Sequence, residues 1–103
     1  MSYDVIAGDR DLNYTSNMRR FFTDFGAYPG DWAGRPRKEV GAEIGEALRH
    51  IARRVREDGG WHHLATEYNA SNGWGEVRSA TKFLIEAWAG CYAELPDTVK
   101  VSL

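Results

Sequence analysis

At both ends of the chain hydrophobic residues alternate with polar ones, which is the pattern of a half-buried β-strand. The alternating positions are Tyr3, Val5 and Ala7 near the N-terminus and Val99, Val101 and Leu103 near the C-terminus. Turn-forming residues at 8–11 separate the first strand from a second one at 12–14. Because an isolated two-stranded hairpin is marginally stable, we predict that the C-terminal strand joins it in one sheet.

Between these ends hydrophobic residues recur every three or four positions, which predicts three helices. The stripes comprise Met18, Phe21, Phe22 and Phe25, then Val40, Ile44, Ala47, Leu48, Ile51 and Val55, and finally Val77, Ala80, Leu84, Ala87, Trp88, Cys91 and Leu95. Residues 61–68 are predicted to form a further short helical turn. We expect Ser16 or Asn17 to cap the first helix, Pro36 to begin the second and Pro96 to end the third.

This order of elements predicts an α+β fold. A small, mainly antiparallel three-stranded sheet, made of the N-terminal hairpin plus the C-terminal strand, would be packed by three or four helices. The loop at 27–35 contains the aromatics Tyr28 and Trp32, which can pack it against the domain. Neither repeats nor linker-like segments interrupt the pattern, so residues 1–103 are expected to form a single compact domain.

Composition excludes several classes of protein. The 103 residues include one cysteine, so we expect neither an intrachain disulfide nor a zinc site built on several thiolates. The formal net charge of −2 argues against a generally basic nucleic-acid binder. The sequence contains no leader-like or long apolar stretch, so we expect a cytoplasmic protein with no membrane partner, in the host cell if it is phage-encoded.

One stretch of the chain is strongly basic. Residues 35–56 carry seven basic and three acidic side chains, net +4, whereas the remainder carries six basic and twelve acidic ones, net −6. Such a surface could contact phosphate or an acidic protein. However, the acidic residues precede the arginines along the helix, as the helix dipole favours, and no nucleic-acid-binding motif accompanies them, so the pattern favours a solvated helix surface.

Catalytic and metal-binding patterns are incomplete. His63 and Glu67 would share a helix face beside His62, but zinc needs three or four ligands and no HExxH motif is present. Cys91 lies on a hydrophobic stripe, which favours an inert buried thiol over a nucleophile. We therefore assign no catalytic residue, no metal ligand and no cofactor.

Two Asn-rich junctions are the strongest candidate site. Residues 13–17 join the second strand to the first helix, and residues 68–75 lead into the third helix. Both place amides, hydroxyls and aromatic rings at helix N-termini, where free N–H groups can receive an anion or a polar ligand. The candidate ligand-binding residues are Tyr14, Asn17, Trp32, Asn69, Asn72 and Trp74. The same residue types also cap helices and form turns, so both interpretations stay open.

At these motifs the chain resembles a group of small, uncharacterised proteins of bacteriophages and actinobacteria. The resemblance lies in Ser2-Tyr3-Asp4-Val5, Asn13-Tyr14-Thr15-Ser16-Asn17, Ser71-Asn72-Gly73-Trp74-Gly75 and Leu95-Pro96-Asp97. It implies a phage or mobile-element accessory protein and assigns no catalytic role. The arginine-rich helix and the His62-His63 pair are not part of the shared pattern.

The leading functional hypothesis is a non-enzymatic accessory protein that binds a small polar or nucleotide-like ligand. Tyr14, Trp32 or Trp74 would stack on the ligand, while asparagine amides would hydrogen-bond it. The alternative is a protein-interaction module that binds a host protein or self-associates as a homo-oligomer through exposed aromatics and arginines. An enzyme is the third hypothesis, and we expect no nucleic-acid partner.

Overall fold

Three antiparallel strands bring the two ends of the chain into one sheet. The computed structural model describes residues 2–92 and 98–102 and has an α+β fold. Its strands are β1 (Ser2–Ala7), β2 (Arg10–Thr15) and β3 (Lys100–Ser102), and its α-helices are α1 (Arg19–Asp24), α2 (Arg37–Asp58), α3 (His62–Tyr68) and α4 (Val77–Cys91). The fold class predicted from the sequence is therefore confirmed.

The strand β1 lies at the centre of the sheet, in the order β2-β1-β3. Val5 is paired with Leu12 of β2 on one side and with Val101 of β3 on the other. Tyr3, Val5 and Ala7 are buried, as the alternation predicts. The predicted contact between the C-terminal strand and the hairpin is confirmed. The predicted positions Leu95, Pro96 and Leu103 lie outside the described residues.

The chain just before β3 is fixed to the loop that precedes α2. Gly34 donates a backbone hydrogen bond to Val99, and Val99 donates one back to Arg35, at 2.9 and 3.1 Å. The Arg35 guanidinium in turn lies 2.8 Å from a Glu43 carboxylate oxygen and 2.7 Å from one of Glu39. The hydrogen bonds that Arg35 donates to Glu43 and Glu39 raise its pKa above the usual value. One arginine thus links the sheet edge to the first turns of α2.

The turn that leads into the first helix is capped one residue earlier than expected. Thr15 Oγ1 accepts a hydrogen bond from the Asn17 backbone N–H at 3.3 Å, and a 3-10 turn at Ser16–Met18 precedes α1. The prediction of Ser16 or Asn17 as the cap was therefore wrong. The hydroxyl that caps the turn comes from the last residue of β2, because the chain passes from strand to helix without a loop.

The helix α4 packs on the sheet through one face and on α2 through another. Glycines of α2 allow a close, antiparallel approach: a Cβ on Gly41 would lie 3.0 Å from Cβ of Cys91, and one on Gly45 would lie 3.2 Å from Nε1 of Trp88. On its other face, Gly90 permits an equally close approach of α4 to β1.

No described helix combines the length and hydrophobicity needed to cross a membrane.

We predict that Gly90→Ala destabilises the fold. A Cβ at this position would overlap the backbone carbonyl oxygen of Ala7 and would lie 2.9 Å from Cγ of Arg10, so α4 would have to move off the sheet. Urea unfolding should show a loss of about 2 kcal/mol or more, as expected for overpacking against backbone. Gly45→Ala is the matched helical control and should change stability by about 1 kcal/mol or less. Equal effects of the two substitutions would contradict the close packing of α4 on β1.

Candidate functional site

The two Asn-rich junctions lie side by side in the fold. The side-chain amide of Asn17 donates a hydrogen bond to the backbone carbonyl oxygen of Trp74 at 3.1 Å, across a separation of 57 residues in the chain. This bond joins the start of α1 to the loop that leads into α4. The junctions meet because β2 and α4 pack against each other.

Tyr14 connects β2 directly to the N-terminus of α4. Its hydroxyl accepts a hydrogen bond from the backbone N–H of Glu76 at 3.2 Å, and it lies 3.0 Å from the Glu76 carbonyl oxygen and 2.7 Å from Oγ of Ser79. Its ring stacks on Phe83 with the centroids 5.5 Å apart. Both the ring and the hydroxyl of Tyr14 therefore have partners within the fold.

Two further asparagines bond to the backbone of the same loop and helix. Asn69 Oδ1 accepts from the N–H of Val77, the first residue of α4, at 2.8 Å. Asn72 Oδ1 accepts from the N–H of Trp74 at 3.0 Å, which closes a local turn. Glu76, the residue before α4, makes no side-chain capping bond. Asn69, eight residues before Val77, thus supplies the acceptor that the helix N-terminus requires.

The two tryptophans of the candidate set lie in opposite environments. Trp32 is 1% exposed and lies nearly parallel to Phe83 at 6.2 Å between centroids, so it is part of the core. Trp74 is 72% exposed. The structure therefore brings Tyr14, Asn17, Asn69, Asn72 and Trp74 together and places Trp32 apart from them. Trp32 lines a separate concavity together with Tyr28 and Arg35, away from the Asn-rich junctions.

A larger apolar surface, which the sequence analysis did not single out, lies between α2 and α4. A concavity of about 490 Å³, here called the α2–α4 groove, is lined by Leu48, Ile51, Ala52, Val55, Arg56, Trp61, Thr81 and Ile85. A second concavity of about 510 Å³ shares Leu48 and Ile85 with the groove and extends to Trp88 and Tyr92. We call the two together the α2–α4 face.

Exposed hydrophobic side chains of α4 and its C-terminus form much of this face. Ile85 is 49%, Trp88 40% and Tyr92 58% exposed. The periodicity includes Trp88 in the hydrophobic stripe of this helix, but the face that packs inward passes through Leu84 and Ala87 and leaves Trp88 exposed. The sequence did carry a signal, since positions 85, 88 and 92 form a second stripe at helical spacing.

The basic half of α2 is only partly engaged. The guanidinium of Arg54 lies 2.9 Å from carboxylate oxygens of both Asp58 and Glu67, which ties α2 to α3. Arg53 and Arg56 have no ion pair or hydrogen bond with any described residue. Among residues 2–92 and 98–102, no group of three or more His, Cys, Asp or Glu side chains could hold a metal ion.

Cys91 is 1% exposed on the inward face of α4. Burial raises the pKa of its thiol to about 11. The thiol is thus held in its unreactive form, as its position on a hydrophobic stripe predicts.

No protein-family model, curated protein or solved structure matches the chain at a significant level. The resemblance to phage and actinobacterial proteins at the Asn-rich motifs therefore stays an expectation.

We predict that Asn69→Ala and Tyr14→Phe weaken the fold. The first removes the acceptor for the Val77 N–H and should lower the free energy of unfolding by about 1 kcal/mol. The second leaves the Glu76 N–H without its partner and should cost about 1 to 2 kcal/mol. Asn72→Ala, which loses only a bond within an exposed turn, is the control and should cost about 0.5 kcal/mol or less. Wild-type stability of both test variants in urea unfolding would contradict a capping role.

For Cys91 we predict slow alkylation in the folded protein. At mildly alkaline pH a thiol with a pKa about two units above normal has a thiolate fraction about a hundredfold lower, before any obstruction by burial. Iodoacetamide labelling followed by mass spectrometry should be slow in buffer and fast in urea. Equal rates in the two solvents would show that the thiol is accessible in the native state.

Proposed function

We propose that this chain is a protein-interaction module that binds another protein through the α2–α4 face. The observation that carries the proposal is the row of exposed hydrophobic side chains at Ile85, Trp88 and Tyr92 beside an apolar groove. Single exposed hydrophobic residues are ordinary on protein surfaces, but a contiguous apolar surface is typical of a contact site.

The residue types on this face also favour a protein contact. Tryptophan and tyrosine are enriched in interface cores and contribute disproportionately to binding energy, because they bury a large rigid area at low entropic cost. Trp61, Trp88 and Tyr92 all line the α2–α4 face. Packing of the fold does not account for the exposure of the Trp88 and Tyr92 rings.

Ligand binding at the Asn-rich junctions is the second candidate function. It is favoured by Trp74, whose 72% exposure leaves an indole free to stack on a small polar or nucleotide-like ligand. It is weakened by the bonds that Asn17, Asn69 and Asn72 already make within the fold, since a ligand would have to compete with them. In either case the resemblance at these motifs supports a role as a phage or mobile-element accessory protein.

The two functions can be separated by a selection for binding peptides. A displayed library of random helical peptides would be selected against the folded chain, and the binding site of each enriched peptide mapped by backbone amide chemical shifts. We expect peptide binding to change the backbone amide chemical shifts of residues 48–56 and 81–92. Ile85→Glu should abolish binding, because it places a carboxylate in the groove, whereas Trp74→Ala should leave binding unchanged.

Circular dichroism would confirm that both variants remain folded, which their exposed positions predict. Peptides that shift residues 14–17 and 69–76, and that lose affinity in Trp74→Ala but not in Ile85→Glu, would favour the ligand-binding function. In that case the α2–α4 face would not be the contact surface.

A further inference from the structure

The floor of the α2–α4 groove is almost entirely apolar. Its hydrophobic lining comes from both helices and from Trp61, which precedes α3. The hydroxyl of Thr81, its polar group on α4, donates to the carbonyl oxygen of Val77 at 2.7 Å within the helix. The floor therefore offers hydrophobic contact and no free hydrogen-bonding group other than the Arg56 guanidinium.

Both rims of the groove are basic. On the α2 side an adjoining concavity of about 320 Å³ is lined by Arg49, Ala52, Arg53 and Arg56. On the α4 side another concavity is lined by Trp61, Glu76, Arg78, Ser79, Thr81, Lys82 and Ile85. The two rims thus carry five basic side chains and one acidic one.

Most of these charges have no partner among the described residues. Arg53, Arg56, Arg78 and Lys82 make no ion pair or hydrogen bond with a described residue, and only Arg49 is paired, at 3.2 Å from a Glu46 oxygen. Two other arginines are fully paired, since Arg35 and Arg54 each bind two carboxylates. Four unpaired positive charges therefore border the groove.

We infer that the partner is an amphipathic α-helix with acidic flanks, which lies along the α2–α4 groove. The inference rests on the proposed function and specifies its ligand. A helix would place one apolar stripe on the groove floor and carboxylates opposite the two rims. The face extends along α4 from Thr81 to Tyr92, the residue after the helix, over about 16 Å, which is about three turns of an α-helix.

The charge and shape of the groove disfavour other occupants. A second copy of this chain, related by twofold symmetry, would set the same basic rims against each other. A flat anionic membrane would meet the arginines but could not fill a groove between two helices. Nucleic acid would gain the charge contacts but would find no hydrogen-bonding group along the apolar floor.

The test uses three synthetic helical peptides and the full chain. The first peptide carries leucines at helical spacing with glutamates on both flanks, the second replaces every glutamate by glutamine, and the third replaces them by lysine. At low ionic strength the glutamate peptide should bind about tenfold or more tightly than the glutamine peptide, and the lysine peptide should bind most weakly. The glutamate advantage should shrink as salt is added.

Variants of the rims assign the effect to the groove. Arg53→Gln combined with Lys82→Gln should remove most of the advantage of the glutamate peptide while leaving the affinity of the glutamine peptide unchanged. Lys100→Gln removes a positive charge from β3 instead and is the matched control. All of these side chains are exposed, so the variants should keep the wild-type circular dichroism spectrum and unfolding midpoint.

Several results would overturn the inference. If the glutamine peptide binds the groove as tightly as the glutamate peptide, the partner is not selected by charge, and the proposed function stands without this refinement. If none of the three synthetic peptides binds, and Ile85→Glu does not weaken any peptide selected from the displayed library, the proposed function fails as well. Sedimentation equilibrium that shows a dimer dissociated by Ile85→Glu would assign the face to a second copy. Binding of duplex DNA or phosphatidylserine vesicles, lost in the rim variant, with no peptide binding would assign it to those partners.

Discussion

The rest of the structure depends on the hydrophobicity of α4. Eight of its fifteen residues are buried, and they point both toward the sheet and toward α2. A helix of this kind cannot be stable in water alone, so it must be covered on more than one side. The sheet covers one side through the close approach at Gly90, and α2 covers another through the close approach at Gly41. Ile85, Trp88 and Tyr92 are covered only in part, because Trp88 and Tyr92 touch α2 at Gly45 and Gly41 but all three side chains stay at least 40% exposed.

The polar groups at the Asn-rich junctions serve the same helix. Tyr14 and Asn69 satisfy the backbone N–H groups of Glu76 and Val77, and Asn17 holds the preceding loop through the carbonyl of Trp74. Without these partners the N-terminus of α4 would carry unsatisfied donors next to the core. The residue types that suggested a ligand site are therefore those that a helix N-terminus needs when its own N-cap, Glu76, makes no side-chain bond.

The sequence predicts most of the fold because its periodicities are clear. The alternation at Tyr3, Val5 and Ala7 corresponds directly to buried positions. Most of the α2 stripe is buried as well, whereas Leu48 and Val55 are only partly buried. The cap of the turn before α1 was missed because Thr15 belongs to the end of β2, and pattern alone does not show where a strand passes into a helix. The sequence also predicted that the two junctions carry polar and aromatic groups at helix starts. It could not show that these groups bind each other, because the bonds join residues more than fifty positions apart.

The α2–α4 face was missed for a related reason. Helix α4 carries hydrophobic residues around much of its surface. A single sequence does not tell which of them contact the sheet, which contact another helix and which stay exposed. The inclusion of Trp88 in the hydrophobic stripe illustrates this, since Leu84 and Ala87 occupy the inward positions. Likewise the basic character of residues 35–56 gave no sign that free arginines would border an apolar groove.

Solvent accessibility of individual side chains in the isolated protein tests the central claim most directly. A soluble nitroxide broadens the NMR signals of exposed groups, and spectra would be compared at high and low protein concentration. The account predicts strong broadening of the Ile85 methyl groups and the Trp88 and Tyr92 rings, similar to that of Trp74, with Leu84 protected. Protection of Ile85 and Trp88 to the level of Leu84 at all concentrations would show that the face is already covered, and would contradict the account.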